Sequence, residues 1–359
     1  MQWRRSMPSN LGSHVGGRDN NFNLIRFVAA SAVLFSHSFA LSVGKSSAEP
    51  LHSWLGTTFG QIAVDVFFLT SGFLVTASLL ARGSVKTFAM ARCLRIYPGL
   101  LVAVLLTTAV VGWRFTSLTP QEFFTSADTW RYVLKNATMV TGEMHTLPGA
   151  FEHTPWRHLV NSSLWTLPYE LAMYGLLSVF WIVLSMTGAE ARLKWVVAGI
   201  AVLTMGAQLI AIDWLHSSAL RLTAIFFVGS SLYAFRGVVP MNTRLFFALG
   251  IAMLVSMAQV RLFGIVYLLT LPYLVLFLAY IPRGFIRKFN DVGDCSYGLY
   301  IYAWPIQQML AALLPGIQPL PLFALSFVTT TTLACASWKL VEKPALSLKH
   351  RAARFPSLA

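Results

Sequence analysis

The sequence is poor in charged residues. Only 11% of its 359 residues are charged, and just 13 of them are acidic, whereas soluble domains carry about 25% charged residues. Hydrophobic residues make up 56%, so a soluble protein of this composition would expose large apolar patches. The same hydrophobicity excludes a disordered chain. Composition therefore predicts an all-α polytopic membrane protein.

Cysteine is also scarce. The three cysteines, at positions 93, 295 and 335, have no metal-binding spacing and do not indicate a disulfide framework. The first twenty residues lack an apolar core, so we expect no cleaved signal peptide there. Residues 1–21 are instead predicted to form a cytoplasmic tail.

Long apolar runs are abundant. A helix needs roughly 20 mostly apolar residues to cross the hydrocarbon core of a membrane. About ten candidate spans occur, with approximate bounds 22–42, 58–80, 97–113, 162–185, 195–212, 220–235, 244–258, 263–281, 296–314 and 320–340. No internal repeat is evident. The sequence therefore predicts a single membrane domain over residues 1–359.

The cations set the expected orientation, because cytoplasmic loops of membrane proteins are enriched in Lys and Arg. With a cytoplasmic N-terminus and ten crossings, about 20 of the 27 Lys and Arg residues fall on the cytoplasmic side. The remainder are Lys45, Arg114, Arg131, Lys135, Arg157, Arg221 and Arg261. Both termini are predicted to be cytoplasmic, including a tail over 341–359. The net charge of +14 thus reflects topology, and no nucleic-acid partner is expected.

A long external loop is predicted over residues 114–160. It contains His145, His153 and His158 at irregular spacing. A loop of this length is typical of a lid or a substrate-facing element. Three histidines can bind a metal, but the irregular spacing and the lack of a carboxylate pattern favour a solvated loop, and we predict no metal.

Ionisable groups inside membrane spans are costly and therefore functional candidates. His37, Asp65 and Glu170 lie within predicted spans, and Arg26 lies at the inner boundary of the first. We expect His37, Asp65 and Glu170 to lie at comparable depth near the external side. There a carboxylate would orient the imidazole of His37. The alternative is that these groups form structural hydrogen bonds between helices.

Helical periodicity relates Arg26 to His37. The two residues are eleven positions apart, which is three helical turns plus about 20°, so they share one face about 16 Å apart. This pair could hold a long ligand, with its anionic part at Arg26 and its reactive end at His37. The alternative for Arg26 is a snorkelling side chain.

A second arginine pair follows the second predicted span. Arg92 and Arg95 are three residues apart and share a face if their segment is helical. Paired guanidiniums suit phosphate oxygens. The alternative is that these cations only set topology.

Several motifs together resemble the bacterial integral-membrane acyltransferase 3 family, whose members O-acylate cell-surface sugars. The Arg26 and His37 spacing resembles the family's start. The segment GQIAVDVFFLTSGFL is similar to the second signature, RCLRIYP to the Arg-x-x-Arg motif, and SLWTLPYE to the fourth-helix signature. SYGLYIYAWPIQ and VEKPAL resemble the closing signatures, with Glu342 at the final acidic position. Many members have a histidine where this chain has Ala303.

The resemblance implies transfer of an acyl group, usually acetyl, from cytoplasmic acyl-CoA to a glycan or glycolipid hydroxyl at a bacterial inner membrane. Exopolysaccharide units, O-antigen or another lipid-linked oligosaccharide are the implied acceptors. Arg26, Arg92 and Arg95 would bind the donor, and His37 would act as general base or carry the acyl group. Asp65 and Glu170 would orient His37 or contact the sugar, and Glu342 would tie helices together or shape the donor mouth. The competing hypothesis is a transporter or flippase with His37, Asp65 and Glu170 as a proton relay.

Overall fold

The computed structural model describes residues 10–17, 19–211 and 218–352. The ends of both predicted tails, residues 1–9 and 353–359, lie outside the described residues, as does the last residue of the predicted span 195–212. Within the described ranges the chain is helical. Its β-structure there consists of isolated bridges, at Asn10 and Pro240, Thr116 and Ala150, and Thr146 and Leu159.

The described residues form fourteen α-helices. Their bounds are α1 Phe22–Val43, α2 Pro50–Leu55, α3 Phe59–Arg82, α4 Val85–Leu106, α5 Pro120–Thr125, α6 Ala127–Thr138, α7 Leu167–Met186, α8 Leu193–Ala211, α9 Ser218–Ala234, α10 Thr243–Ser256, α11 Val260–Tyr280, α12 Ser296–Leu313, α13 Pro319–Ser337 and α14 Lys343–Ala352. Turns of π-helix continue α4 through Gly112 and α13 through Glu342.

Each of the ten predicted spans coincides with a helix, namely α1, α3, α4 and α7 to α13. Among the described residues, seven apolar helical segments are long enough to cross a membrane, and α9 and α10 are shorter apolar helices. The all-helical membrane fold is confirmed. The number of crossings and the cytoplasmic location of the termini stay predictions. Below, the inner end of the bundle is the predicted cytoplasmic end, where α1 begins and α3 ends.

Local sequence signals account for the ends of the helices. Thr58 and Gln61 form a reciprocal capping box at the start of α3, which satisfies otherwise free backbone N–H groups. Gly83 then ends α3 in the left-handed conformation, at φ 63°. Ser84 follows at once as the N-cap of α4, so only Gly83 and Ser84 connect the two helices at the inner end.

Two glycines allow α3 and α9 to pack closely. A Cβ atom at Gly72 would lie 2.0 Å from the carbonyl oxygen of Phe226. A Cβ at Gly229 would lie 2.2 Å from that of Leu69. Small residues have this packing function in membrane helices, where backbones must approach closely to gain van der Waals contact.

The predicted loop 114–160 is largely folded. It contains α5 and α6, and its later part enters the bundle and packs against α12. Within it, the carbonyl of Leu159 accepts from the indole N–H of Trp304 at 3.1 Å, and the carbonyls of Trp156 and Leu159 accept from Gln308 at 2.7 Å. The segment is therefore more than a plain loop, although His153 and His158 are exposed on it as a solvated loop predicts. Its external location stays a prediction.

The predicted N-terminal tail is also partly docked. The backbone N–H groups of Leu11 and Gly12 donate to the carbonyls of Val239 and Arg236, and Leu11 is fully buried. Asn21 bonds to the carbonyls of Leu278 and Pro282 at the end of α11. These contacts fix the start of α1, and with it the position of Arg26.

Candidate active site

Three arginines converge at the inner end of the bundle. Arg26 lies in the second turn of α1, and Arg92 and Arg95 lie within α4. The sequence predicted that the third span begins at 97, but α4 begins at Val85, so these two arginines lie on a helix rather than in a loop. They share one face of α4, as the spacing predicted.

Asp294 links two of these arginines. Its carboxylate forms an ion pair with Arg95 and lies 4.0 Å from Nε of Arg26. Ser296, in the first turn of α12, donates its hydroxyl to the same carboxylate and lies 3.4 Å from Nε of Arg26. Burial disfavours the charged form of Asp294, but Arg95 and Arg26 outweigh it and hold the pKa of this carboxyl below its ordinary range.

Sequence reasoning missed Asp294, because it lies just before a predicted span rather than within one. The available signal was its position two residues before Ser296, where an acid accepts a backbone N–H at a helix start. That bond is present, at 3.3 Å from the backbone nitrogen of Ser296.

Glu342 joins the same cluster from the end of α13. One oxygen accepts a hydrogen bond from Ser337 at 3.0 Å, and the other lies 3.9 Å from a guanidinium nitrogen of Arg95. The ring of Trp338 lies 5.6 Å from the Arg95 guanidinium carbon. Arg95 therefore connects α4, α12 and α13, and its charge is balanced by two carboxylates.

Arg92 differs from Arg95. It forms no salt bridge to any residue in the described part of the chain, and its buried Nε atom has no hydrogen-bond partner there. Its guanidinium carbon lies 6.0 Å from the ring centre of Tyr174. Arg92 lines a small cavity of about 50 Å³, together with Arg26, Arg95, Glu170 and Tyr297.

Glu170 lies in the first turn of α7 and faces this cavity. One oxygen accepts hydrogen bonds from the hydroxyls of Ser71, at 3.1 Å, and Tyr174. The expectation that Glu170 lies near the external side with His37 and Asp65 is not met, because the segment before α7 enters the bundle and carries Glu170 toward the arginines.

A second cavity continues from the first. Arg26, Glu170 and Tyr297 line both cavities. The second cavity has a volume of about 30 Å³, and its other walls are mainly apolar: Val64, Phe67, Phe68, Thr166, Leu167 and Tyr300. Together the two cavities extend from Arg92 to Tyr300, which lies one helical turn before Trp304 on α12.

His37 lies beside Trp304, on the same face of α1 as Arg26. The two ring centres are 4.8 Å apart in an edge-to-face arrangement. The Nδ1 atom of His37 is buried without a hydrogen-bond partner among the described residues. A buried imidazole nitrogen that has no partner is available to a substrate group.

Asp65 is not brought to His37. It forms a buried ion pair with Arg221 of α9, and its second oxygen accepts a hydrogen bond from Tyr267 of α11 at 2.9 Å. With both oxygens engaged in this way, Asp65 is placed to connect α3 to α9 and α11, as the structural alternative predicted. Sequence reasoning placed Arg221 on the external side but did not find its acidic partner.

His145, His153 and His158 do not form a metal-binding cluster within the described ranges. His145 lies 3.5 Å from Glu143, and its Nδ1 lies 3.2 Å from the carbonyl oxygen of Asn161. Across the described ranges, no three His, Cys, Asp or Glu side chains are grouped closely enough to hold a metal ion.

Comparisons with known proteins identify the family. The model of an acyltransferase domain family matches residues 19–339. The chain belongs to the acyltransferase 3 family. It is therefore a membrane acyltransferase.

This acyltransferase is 30% identical to the O-acetyl transferase of Shigella phage Sf6, over 91% of this chain and 96% of the relative. It is also 30% identical to Nodulation protein 10 of Rhizobium leguminosarum bv. viciae, over 95% of this chain and 96% of the relative. The acyltransferase MdmB of Streptomyces mycarofaciens is 32% identical over 40% of the chain. No solved structure matches the present chain.

Proposed function

We propose that this protein transfers an acetyl group from cytoplasmic acyl-CoA to a hydroxyl of a cell-surface polysaccharide or lipid-linked oligosaccharide at the bacterial inner membrane. The observation that carries the proposal is the pair of cavities that share Arg26, Glu170 and Tyr297. The first cavity is lined by arginines at the inner end, and the second lies between mainly apolar walls. The name of the phage relative, an O-acetyl transferase, supports acetyl as the acyl group.

The donor would enter at the inner end. Arg92 and Arg26 are suited to the phosphates of CoA, because guanidinium groups offer several fixed N–H donors to phosphate oxygens. Arg92 has an unpartnered buried Nε and forms no salt bridge in the described ranges, although Glu170 lines the same cavity. Arg95, paired with Asp294 and near Glu342, would shape the mouth and add less binding energy.

The chemistry would take place at His37. The imidazole accepts the proton of the acceptor hydroxyl while the hydroxyl oxygen attacks the thioester carbonyl. The new C–O ester bond forms, the C–S bond breaks, and the departing CoA thiolate takes the proton from the imidazolium. A covalent acyl-imidazole on His37 is the alternative course of the same transfer.

Glu170 is assigned to the donor path rather than to orienting His37. Its position among Arg26, Arg92 and Tyr174 suits a group that holds these side chains and contacts the polar arm of the donor. Asp65 is assigned to the ion pair with Arg221. This assignment also weakens the transporter hypothesis, because a relay through Asp65 would require a carboxylate free to exchange protons.

The test uses purified protein with radiolabelled acetyl-CoA and membranes that contain the native glycan. We expect free CoA thiol and alkali-labile label in the glycan in equal amounts, with both lost in the His37→Ala variant. If folded wild-type protein yields neither free CoA thiol nor labelled glycan, the proposed reaction is wrong. Transport without thiol release would favour the alternative.

A further inference from the structure

A short segment of the external loop, Pro155 to Asn161, lies across the outer half of α12. We refer to this segment as the strap. Gln308 donates its side-chain amide to the carbonyls of Trp156 and Leu159, both at 2.7 Å. The indole N–H of Trp304, one turn earlier on α12, donates to Leu159 at 3.1 Å. The strap is thus held through its backbone.

The third attachment of the strap depends on a proline in α12. Because Pro305 has no N–H, it cannot donate to the carbonyl of Ile301, four residues earlier, as a regular helix requires. The side-chain amide of Asn161 replaces that donor at 3.0 Å, and its side-chain oxygen accepts from the backbone N–H of Ser163. Ile301 is fully buried, so its carbonyl would otherwise lack the donor that a regular helix supplies.

The strap lies next to His37. Trp304 contacts the imidazole of His37 and also bonds to the strap. At the other end, a Cβ at Gly44, just after α1, would lie 2.7 Å from the carbonyl oxygen of Pro155. The strap therefore packs against both α12 and the outer end of the helix that carries His37.

The backbone of the strap is held in an unfavourable conformation at one position. His158 adopts φ 64°, a left-handed value that non-glycine residues rarely adopt. Such a conformation persists only where surrounding contacts enforce it. Here the backbone N–H of His158 donates to the carbonyl of Phe151, and Gln308 and Trp304 hold the carbonyl of the next residue, Leu159.

We propose that Gln308 and Asn161 are positioning residues for acyl transfer, because they hold the strap and Trp304 over the outer side of His37 and exclude water from the thioester. The inference rests on the proposed function. In a site without this cover, water replaces the sugar hydroxyl. Its oxygen forms the new C–O bond to the acyl carbon, the C–S bond breaks, and the products are acetate and the CoA thiol.

The test compares two adjacent glutamines. Gln307 and Gln308 are both fully buried, but Gln307 bonds to Leu34, Ser38 and Ser326 and not to the strap. Inverted membrane vesicles with native glycan receive radiolabelled acetyl-CoA, and free acetate is counted against glycan-bound ester. For Gln308→Met we expect the ratio of acetate to ester to rise on the order of fivefold to tenfold, since two hydrogen bonds to the strap are lost. Gln307→Met should keep the wild-type ratio.

Asn161→Asp provides an independent variant at the other end of the strap. It keeps the oxygen that accepts from Ser163 but removes the donor to Ile301, so the same rise is expected. A misfolded variant forms neither acetate nor ester and therefore gives no ratio. If either Gln308→Met or Asn161→Asp misfolds, the other variant decides the test. The inference is overturned if the ratio is unchanged in a folded variant, or if Gln307→Met raises it equally. Wild-type vesicles that form no ester would instead overturn the proposed function.

Discussion

Arg92 and Arg95 lie three residues apart on one face of α4, yet they have different electrostatic surroundings. Arg95 is paired with Asp294 and lies near Glu342, whereas Arg92 forms no salt bridge within the described ranges and has a buried Nε without a partner. A motif with two equivalent arginines in sequence therefore becomes two different functional positions in the structure.

This difference predicts separable effects of the two substitutions. Arg92→Ala should raise the KM for acyl-CoA about tenfold or more, because a charge-assisted hydrogen bond contributes roughly 1.5–3 kcal/mol. Arg95→Ala should instead lower the Tm, since it removes the cation near Glu342 and leaves Asp294 with Arg26 alone, at a cost of roughly 3 kcal/mol. Steady-state kinetics and thermal unfolding in detergent measure both. Equal changes in KM for the two variants, with no change in Tm for Arg95→Ala, would contradict this difference in roles.

His37 is predicted to be essential for the chemical step. His37→Ala should lower kcat about 100- to 10,000-fold, the range typical of a lost general acid–base group. Its elution in gel filtration and its Tm should match those of the wild type, because the imidazole Nδ1 makes no hydrogen bond in the described structure. A variant with full activity would remove His37 from the mechanism.

Asp65 is predicted to stabilise the fold rather than to take part in catalysis. Asp65→Asn should destabilise the protein by roughly 3–5 kcal/mol, because Arg221 is left as a buried charge without its partner. The double variant Asp65→Leu with Arg221→Met should recover part of that loss, which a double-mutant cycle measures. The specific activity of folded Asp65→Asn should stay within a few-fold of the wild type. A stable but inactive variant would restore Asp65 to the catalytic group.

Gly72 offers a test of the packing between α3 and α9. Gly72→Ala places a methyl group 2.0 Å from a backbone oxygen, so the two helices must separate and the yield of folded protein should fall sharply. Gly175→Ala is the matched control, since a Cβ there meets nothing within 4 Å. It should be neutral or stabilise the protein by about 0.5–1 kcal/mol. Fluorescence-detected gel filtration and the Tm distinguish the two outcomes.

The pKa of Asp294 predicts a dependence of stability on pH. Its folded pKa lies below the ordinary value of 3.8, so its stabilising contribution is fully present above that pH and is lost as the pH falls through the folded value. The difference in Tm between wild type and Asp294→Asn should therefore be largest at neutral pH and shrink below about pH 4. A difference that stays constant down to pH 2 would contradict this.

Much of the fold could be predicted from the sequence because hydrophobic runs of spanning length specify helices directly. The clear exception is the start of α4. Its first three turns are polar enough to resemble a loop, and they are accommodated in the helix because Asp294 and Glu342 offset Arg95.

The candidate site could be predicted only in part. Arg26 and His37 lie on one face because helical periodicity alone determines it. The partners of Arg95 and Asp65 are 199 and 156 residues away in sequence, and no local pattern specifies such pairs. The depth of Glu170 was missed for a related reason, since it depends on a preceding segment that enters the bundle.

The attachment of Asn161 to Ile301 also has a consequence for the order of folding. The two residues are 140 positions apart, so the ribosome completes the external loop long before α12 exists. Until α12 is inserted, the carbonyl that Asn161 satisfies has not been made, and Arg95 lacks Asp294. The proposed acyl-transfer centre is therefore completed by the last helices to be synthesised, and an unfinished chain in the membrane has no closed site in which to consume the acyl donor.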